Sequence, residues 1–169
     1  GPMLALPQDA RAGLSGLIDT MPPGNISRLI QSEATAFRVE FEGEVPPYAS
    51  LYWRGPVLWQ FDGRSWRMPE FSPLCKLDYA RAESPVRYAI TVEPHGKHWL
   101  FSLDVPGSVP PGAGLRHDLQ IRSIRPVDAR LRYEMTSYLD YRFGLSLPAA
   151  FRALALDFDE ADNPRTVAL

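Results

Sequence analysis

Alternation of apolar and polar residues is the dominant pattern in the middle of the chain. In residues 34–43, Phe37, Val39 and Phe41 alternate with charged residues, which predicts a half-buried antiparallel strand. A longer alternating run covers residues 127–138, where the predicted inward positions are Val127, Ala129, Leu131, Tyr133 and Met135. Both runs predict strands with one face on the core and the other in solvent.

A first hairpin is predicted around the turn pair Asp62-Gly63, which separates two aromatic-rich runs. Both turn residues tolerate the positive φ that a two-residue type I′ turn requires. In the arm before the turn, Val57, Trp59 and Phe61 alternate onto one face.

A second hairpin is predicted from residues 86–93 and 98–105 around a turn at 94–97. Its core candidates are Tyr88, Ile90 and Val92, opposite Trp99, Phe101 and Leu103. With about seven short strands, the chain is predicted to be mainly β, as an antiparallel β-sandwich or partly closed barrel with short flanking helices.

The flanking helices are predicted from caps and spacing. Residues 8–31 read as loop and short helix, with Asn25 or Ser27 as a cap, and residues 147–156 read as a short helix begun by Pro148. In the terminal segment, Asn163 and Pro164 favour a further helix start.

Composition and charge argue against several classes of binding partner and site. A formal net charge of -2 and a pI near 5.9 argue against bulk attraction to nucleic acid or anionic lipid. No apolar run approaches the ~20 residues of a membrane-spanning helix. The single cysteine, Cys75, excludes an internal disulfide and a multi-cysteine metal site.

Nucleophilic or metal chemistry finds little support in the sequence. Cys75 is the only thiol, and none of His95, His98 and His117 lies in a recognisable catalytic motif, so we interpret Cys75 as a structural residue. His95 and His98 are predicted to be exposed turn residues, and no third ligand lies near them. We therefore expect no metal ion and no cofactor.

Aromatic and arginine side chains are concentrated in residues 51–67. Trp59 and Trp99 fall on predicted inward faces, whereas four residues remain candidate surface contacts for a glycan or peptide: Trp53, Arg54, Arg64 and Trp66. Further arginines at 116, 122, 125, 130, 132 and 142 could form a docking face. Since Arg130 and Arg132 share their strand face with Asp128 and Glu134, we favour paired surface charge.

The order of several motifs is that of a known family. The chain contains, in sequence, ISRLIQSEATAFRVEFEGEVPP, YWRGPVLWQFDGRSWR, VRYAITVEPHGKHWLFSLDVP and NPRTVAL. From about residue 20 to 169 it closely resembles the extracytoplasmic segment of bacterial membrane-anchored transglutaminase-like proteins, which are named protein-glutamine gamma-glutamyltransferase or cysteine protease. In that family a transmembrane bundle precedes this segment, and a transglutaminase-like core follows it.

The resemblance implies a periplasmic location at the inner membrane and a Cys-His-Asp triad in the core. The family's cysteine lies in a pattern like G-x-C-x-D-Y-A, which this chain lacks. PLCKLDYA, with Cys75 and Asp78, has no preceding glycine and carries an extra residue, so no catalytic residue is carried over.

The resemblance also implies a domain organisation. We predict a tag remnant and linker at 1–19, a periplasmic β domain at 20–146, and a short helix plus the start of the core at 147–169. The predicted function is a non-catalytic domain that braces or presents the core of the same protein, with membrane contact only through the parent's helices. The alternative is a glycan- or peptide-binding module, and an independent cysteine enzyme using Cys75 is disfavoured because it lacks a paired base.

Overall fold

A computed structural model of the chain describes residues 20–21, 35–68, 79–81 and 85–143, together with residues 149, 152, 153, 156 and 165. One 3-10 helix, Tyr48–Ser50, lies among these residues. The described strands are β1 (Thr20–Met21), β2 (Phe37–Glu42), β3 (Trp53–Arg54), β4 (Gln60–Phe61), β5 (Trp66–Arg67), β6 (Tyr79–Arg81), β7 (Val86–Val92), β8 (Trp99–Leu100), β9 (Ser102–Leu103), β10 (Val105–Pro106), β11 (Ala113–Leu115), β12 (Ile121–Ser123), β13 (Leu131–Tyr138) and β14 (Tyr141–Phe143).

The described strands pair only in the antiparallel sense. The main sheet has the order β10-β13-β7-β2, and smaller sheets have the orders β11-β12-β8, β1-β5-β4, β3-β9 and β14-β6. The prediction of a mainly β, antiparallel fold is confirmed. No barrel closes among these strands.

The core lies between the main sheet and the segment that carries β8, β9 and β12. The predicted core residues of the second hairpin are confirmed, since all six are buried in one apolar cluster: Tyr88, Ile90, Val92, Trp99, Phe101 and Leu103. On β2 the burial alternates as predicted, with Phe37, Val39 and Phe41 packed against this cluster.

The predicted pairing of that second hairpin is wrong. β7 pairs with β13 and β2, whereas β8 pairs with β12 and β9 pairs with β3. The connecting turn is held by Val127, whose carbonyl accepts the N–H groups of His95 and Gly96 at 3.0 and 2.9 Å. Because the turn bonds to a distant segment, its two arms separate into different sheets.

The long alternating run forms a shorter strand than predicted. β13 begins at Leu131, which lies opposite Val92 at the end of β7. Val127, Tyr133 and Met135 are buried as predicted, but Ala129 and Leu131 are exposed, which corrects their assignment to the core. The Val127 N–H donates to the Lys97 carbonyl at 2.9 Å. The segment before Leu131 is therefore bonded to the turn at 94–97 and not to the main sheet.

The first hairpin is present but has a different turn. β4 pairs with β5 through Phe61 and Trp66, which leaves residues 62–65 in the loop. Gly63 has φ 86°, and Asp62 is not in the positive-φ region. The Asp62 carboxylate instead accepts the N–H groups of Arg64 and Ser65 at 3.0 and 2.7 Å, so a side chain closes the turn.

Two buried tyrosines join the layers through their hydroxyl groups. Tyr133 donates to the Phe101 carbonyl and accepts the Phe101 N–H, both at 2.9 Å. Tyr88 accepts the Leu103 N–H at 2.7 Å and shares a 2.7 Å hydrogen bond with Ser137. Burial raises the pKa of Tyr88 to about 12 and also raises the pKa of Tyr133. Both side chains therefore stay protonated donors and acceptors.

Most of the predicted flanking helices fall outside the described residues, as do Cys75 and the caps Asn25, Ser27 and Asn163. Within the short helix predicted at 147–156, Ala149 and Arg152 are helical, and the Leu156 N–H donates to the Arg152 carbonyl at 3.1 Å. Among the residues that the structure describes, no helix is long and apolar enough to cross a bilayer.

Candidate functional site

Trp53, in the aromatic segment 51–67, packs against the core. Its ring makes edge contacts with Phe37 and Tyr88, with ring centroids 5.3 and 5.7 Å apart. The side chain is half-buried and packs against the core cluster. Its geometry is that of a packing residue, and its candidate role as a surface contact stays a prediction.

Arg54 is engaged by Asp104, at the corner where the chain passes from β9 to β10. The Arg54 Nε donates to the Asp104 carbonyl at 3.1 Å, and an Nη2 atom lies 3.7 Å from the Asp104 carboxylate. The guanidinium also lies over the Tyr52 ring, 5.3 Å from its centroid. Arg54 therefore contacts an acidic residue and an aromatic ring of its own domain, and its candidate role in ligand contact stays a prediction.

Asp104 is held in an unusual backbone conformation. Its φ is 38°, in the left-handed region that costs free energy for a residue with a side chain. Its N–H donates to the Tyr52 carbonyl at 2.8 Å, and its carboxylate accepts the Tyr141 hydroxyl at 2.8 Å. Burial is the larger cause and this hydrogen bond the next of a raised pKa of Tyr141, so the phenol stays protonated. Arg54, Asp104 and Tyr141 form one cluster, which we call the corner cluster.

Sequence reasoning did not find Asp104 or Tyr141. The contacts that define their roles join residues 50 and 37 positions apart. The only local signal is an aspartate followed by Val-Pro, which is compatible with a bend but does not name the partners.

Trp66 and Arg64 lie at the exposed hairpin. Phe61 and Trp66 face each other across β4 and β5 with ring centroids 5.0 Å apart, and they stay 38% and 46% exposed. Phe61 was predicted on an inward face, and this is wrong. Gln60 and Arg67, the next residues along the strands, are exposed as well, so both faces of this ribbon are uncovered.

The charges of the hairpin are partly paired. Arg67 forms an ion pair with Asp62, and the N–H groups of Ser65 and then Arg64 lower the pKa of the Asp62 carboxyl. The Arg64 side chain is exposed. Two of the four candidate contacts, Arg64 and Trp66, thus lie together at the tip, while Trp53 and Arg54 belong to the core edge and the corner cluster.

The arginines on the solvent face of the main sheet are paired, as we favoured, but with other partners. Arg132 makes a bidentate contact with Glu40 at 3.0 and 2.9 Å, and Arg130 and Arg38 both contact Glu93. Hydrogen bonds from these arginines lower the pKa of the Glu40 and Glu93 carboxyls. The Arg132–Glu40 pair reaches across β7, because β13 and β2 both pair with β7 and not with each other.

The histidines of the turn are not the exposed residues that we predicted. His95 stacks on Trp99 with centroids 4.0 Å apart, and its Nδ1 accepts the Lys97 N–H at 3.1 Å. Burial lowers the pKa of His95 to about 4. The Nδ1 of His98 donates to the Ser123 carbonyl at 3.0 Å. No cluster of metal-ligating side chains occurs within the described part of the chain.

The sequence and the fold of the chain both match known proteins. A family model of the TgpA N-terminal domain matches residues 1–144. The chain belongs to this family. The matched residues of this chain include the hairpin of β4 and β5, the tyrosine hydrogen bonds and the corner cluster. The resemblance predicted from the motif order is therefore confirmed.

Individual TgpA proteins extend the comparison. A protein-glutamine gamma-glutamyltransferase of Pseudomonas aeruginosa is 35% identical over 170 residues, which cover 100% of this chain and 25% of that protein. Crystal structures of the periplasmic domain of Pseudomonas aeruginosa TgpA, with and without ethylmercury, are 34% identical and match with a TM-score of 0.81. The match covers 90% of this chain and 54% and 53% of those chains.

The chain thus spans about a quarter of the curated TgpA relative and about half of each crystallised periplasmic chain. The predicted periplasmic location agrees with both crystal structures and is confirmed.

Proposed function

We propose that this chain is the non-catalytic periplasmic domain of an inner-membrane transglutaminase-like protein, and that it braces or presents an acyl-transfer core. In such a core a cysteine thiolate attacks a glutamine carboxamide, releases ammonia, and passes the acyl group from the thioester to an amine. Support comes from the family match and from relatives that extend beyond the matched segment.

The corner cluster is the observation that carries this proposal. The family match ends at residue 144, directly after β14, and the Tyr141 hydroxyl ties β14 to Asp104. Arg54 fixes the same aspartate from β3. A strand tied in this way leaves the β domain in one direction, so a domain that follows it is held in a defined orientation.

The first experiment measures incorporation of a fluorescent amine into a glutamine donor peptide by the isolated chain. We expect no incorporation above the peptide-only control. Activity that disappears in Cys75→Ala would overturn the non-catalytic assignment.

The second experiment tests bracing in a protein that carries both the β domain and the core. Tyr141→Phe removes the hydroxyl that reaches Asp104, and Tyr48→Phe is the matched control at an exposed tyrosine. We expect Tyr141→Phe to broaden the distribution of inter-domain distances measured by double electron–electron resonance, while Tyr48→Phe leaves it unchanged. An unchanged distribution in both variants would contradict bracing through the corner cluster.

The exposed hairpin favours a second candidate function, recruitment of a glycan or peptide. Trp66 and Phe61 offer an exposed aromatic pair, with Arg64 beside it, and aromatic rings of this kind stack on sugars and peptides. Trp53 and Arg54 complete the predicted contact set. Titration of tryptophan fluorescence with peptidoglycan fragments should give a saturable change that is lost in Trp66→Ala. A flat titration up to roughly 1 mM, a free energy near -4 kcal/mol, would count against this candidate.

A further inference from the structure

The two sides of β13 are partnered to different extents. On one side, β7 pairs with Leu131 through Ser137 along almost the whole strand. On the other side, β10 pairs only with Ser137 and Tyr138. Most of the second side of β13 is therefore a sheet edge among the residues that the structure describes.

The backbone groups on this edge can be assigned from the hydrogen bonds of Thr136. Its carbonyl accepts the Gly107 N–H at 2.7 Å, and its N–H donates to the Ser108 hydroxyl at 2.8 Å. Alternate residues of an antiparallel strand direct their N–H and C=O groups to the same side. Glu134 and Arg132 therefore direct theirs to the same side as Thr136, and neither has a backbone partner there among the described residues.

This edge opens into a groove of 1780 Å³ on the surface of the main sheet. Residues 108–112 and 123–129 line the groove together with β13, and the Ile124 N–H ties these two loops to each other by donating to the Gly112 carbonyl at 2.8 Å. Apolar side chains are exposed along the groove at Val109, Leu131 and Ile124, the last of which is 78% exposed.

We propose that the β13 edge binds an extended polypeptide segment, which adds to the main sheet as a strand in line with β10. The N–H and C=O groups of Arg132 and Glu134, which have no backbone partner within the described part of the chain, repeat every two residues. A peptide main chain in the β conformation offers complementary groups at the same repeat. The exposed apolar side chains then contact alternate side chains of the bound segment. This site is independent of the bracing role of the corner cluster.

The backbone groups and the loops at this edge favour a peptide over other ligands. A sugar has no main chain with this repeat of donors and acceptors, so backbone pairing favours a peptide. A second copy of this chain would bring its own loops 108–112 and 123–129 up to the edge, where they would have to fit against the same loops of the first copy. A single extended segment needs only the width of one strand, about 5 Å.

The opposite edge of the main sheet provides an internal reference. The backbone N–H of Glu93 donates to the Ala36 carbonyl at 3.0 Å, so the backbone groups of residues 36, 38 and 40 face β7 and the N–H of Val39 faces outward. Val39 does not line the groove. Its amide reports on nonspecific pairing of a peptide with any open edge.

The test is amide hydrogen exchange measured by NMR on the whole chain, with a soluble ten-residue probe peptide of alternating threonine and valine and a lysine at each end. At ten times its Kd the peptide should slow exchange at Arg132 and Glu134 about tenfold, and leave Val39 unchanged. A control peptide, N-methylated at every residue, keeps the side chains but lacks N–H donors on both of its edges. It should give no slowing.

Two variants separate pairing from misfolding. Glu134→Pro removes the outward N–H at a position where an edge strand tolerates proline, and Ile124→Asp changes only an exposed groove residue. Both should weaken binding at least tenfold, while Val45→Asp, at another exposed apolar residue, should not. The proposal is overturned if the edge amides show no slowing at millimolar peptide, if the N-methylated peptide slows them equally, if Val39 responds as strongly, or if slowing follows protein concentration without peptide.

Discussion

Replacing Tyr133 with phenylalanine removes one hydroxyl group and leaves the aromatic ring in the core. In the native chain this hydroxyl accepts the Phe101 N–H and donates to the Phe101 carbonyl, both at 2.9 Å. Phe101 lies between β8 and β9 and is buried. The substitution therefore leaves a buried donor and a buried acceptor without their partner.

The loss in free energy of unfolding follows from the unpaired N–H and C=O groups of Phe101. An unsatisfied buried polar group costs about 1–3 kcal/mol, and removal of the tyrosine's own polar atom offsets part of the sum, so we expect a loss of about 3 kcal/mol. Domains are stable by about 5–15 kcal/mol, so this is a large fraction. The equilibrium constant for unfolding should rise roughly a hundredfold, and the melting temperature should fall by about 6–12 °C.

Urea unfolding followed by tryptophan fluorescence measures this change, with thermal unfolding as a second measurement. The midpoint should fall while the slope with denaturant stays constant, because the folded state exposes no new surface. Tyr48→Phe is the matched control, since Tyr48 is 92% exposed, and it should change stability by less than about 0.5 kcal/mol. A loss below about 0.5 kcal/mol in Tyr133→Phe would refute the assignment of this hydroxyl as the partner of Phe101.

Three further outcomes follow from titration and packing. Because burial raises the pKa of Tyr88 to about 12, the folded state keeps the Tyr88 proton to a higher pH than the unfolded chain, and stability should fall by about 2 kcal/mol as pH rises from 10 to 12. Alkaline urea midpoints should fall less in Tyr88→Phe. Because burial lowers the pKa of His95 to about 4, its stabilisation is present above pH 6.5 and is lost as pH falls to 4. His95→Phe should reduce that acid slope, and an unchanged slope would assign it to other groups. A Cβ added at Gly107 would lie 2.7 Å from the Tyr138 ring, so Gly107→Ala should lower the melting temperature by an amount equivalent to about 1–3 kcal/mol, and an unchanged value would show that the ring can move aside.

Local patterns predicted the strands and much of the core. Alternation placed Phe37, Val39 and Phe41 on the packed face of β2, and it identified Ile90 and Trp99 as buried residues. These predictions succeed because burial of one strand face depends on the period of the side chains, which is local.

Pairing and hydrogen-bonded contacts were not predictable in the same way. The turn at 94–97 was expected to close a hairpin, but Val127 takes its N–H groups and separates the arms. His95 was expected in solvent, yet it stacks on Trp99. In both cases a partner far along the chain or across a layer supplies the interaction, and the residue types at the turn do not name that partner.

The candidate site shows the same division. The sequence indicated that residues 51–67 are rich in contact-forming side chains, but it did not separate Trp53, which packs on the core, from Trp66, which stays exposed. Arg54 was assigned to a surface contact, and its bond to Asp104 joins residues 50 positions apart. Exposure depends on what covers a side chain, and that covering comes from other strands.

By itself, the sequence determined the mainly β class, the residues that alternate into the core, and the family resemblance carried by its motif order. Only the tertiary structure decided which strands are neighbours, which hydroxyls join the layers and how Asp104 is held. It also showed that, among the residues the structure describes, β13 keeps an open edge at Arg132 and Glu134. The physical reason is the distance along the chain over which each kind of interaction acts. Side-chain period and turn preference act over a few residues, whereas pairing, burial and edge coverage depend on segments brought together from across the chain.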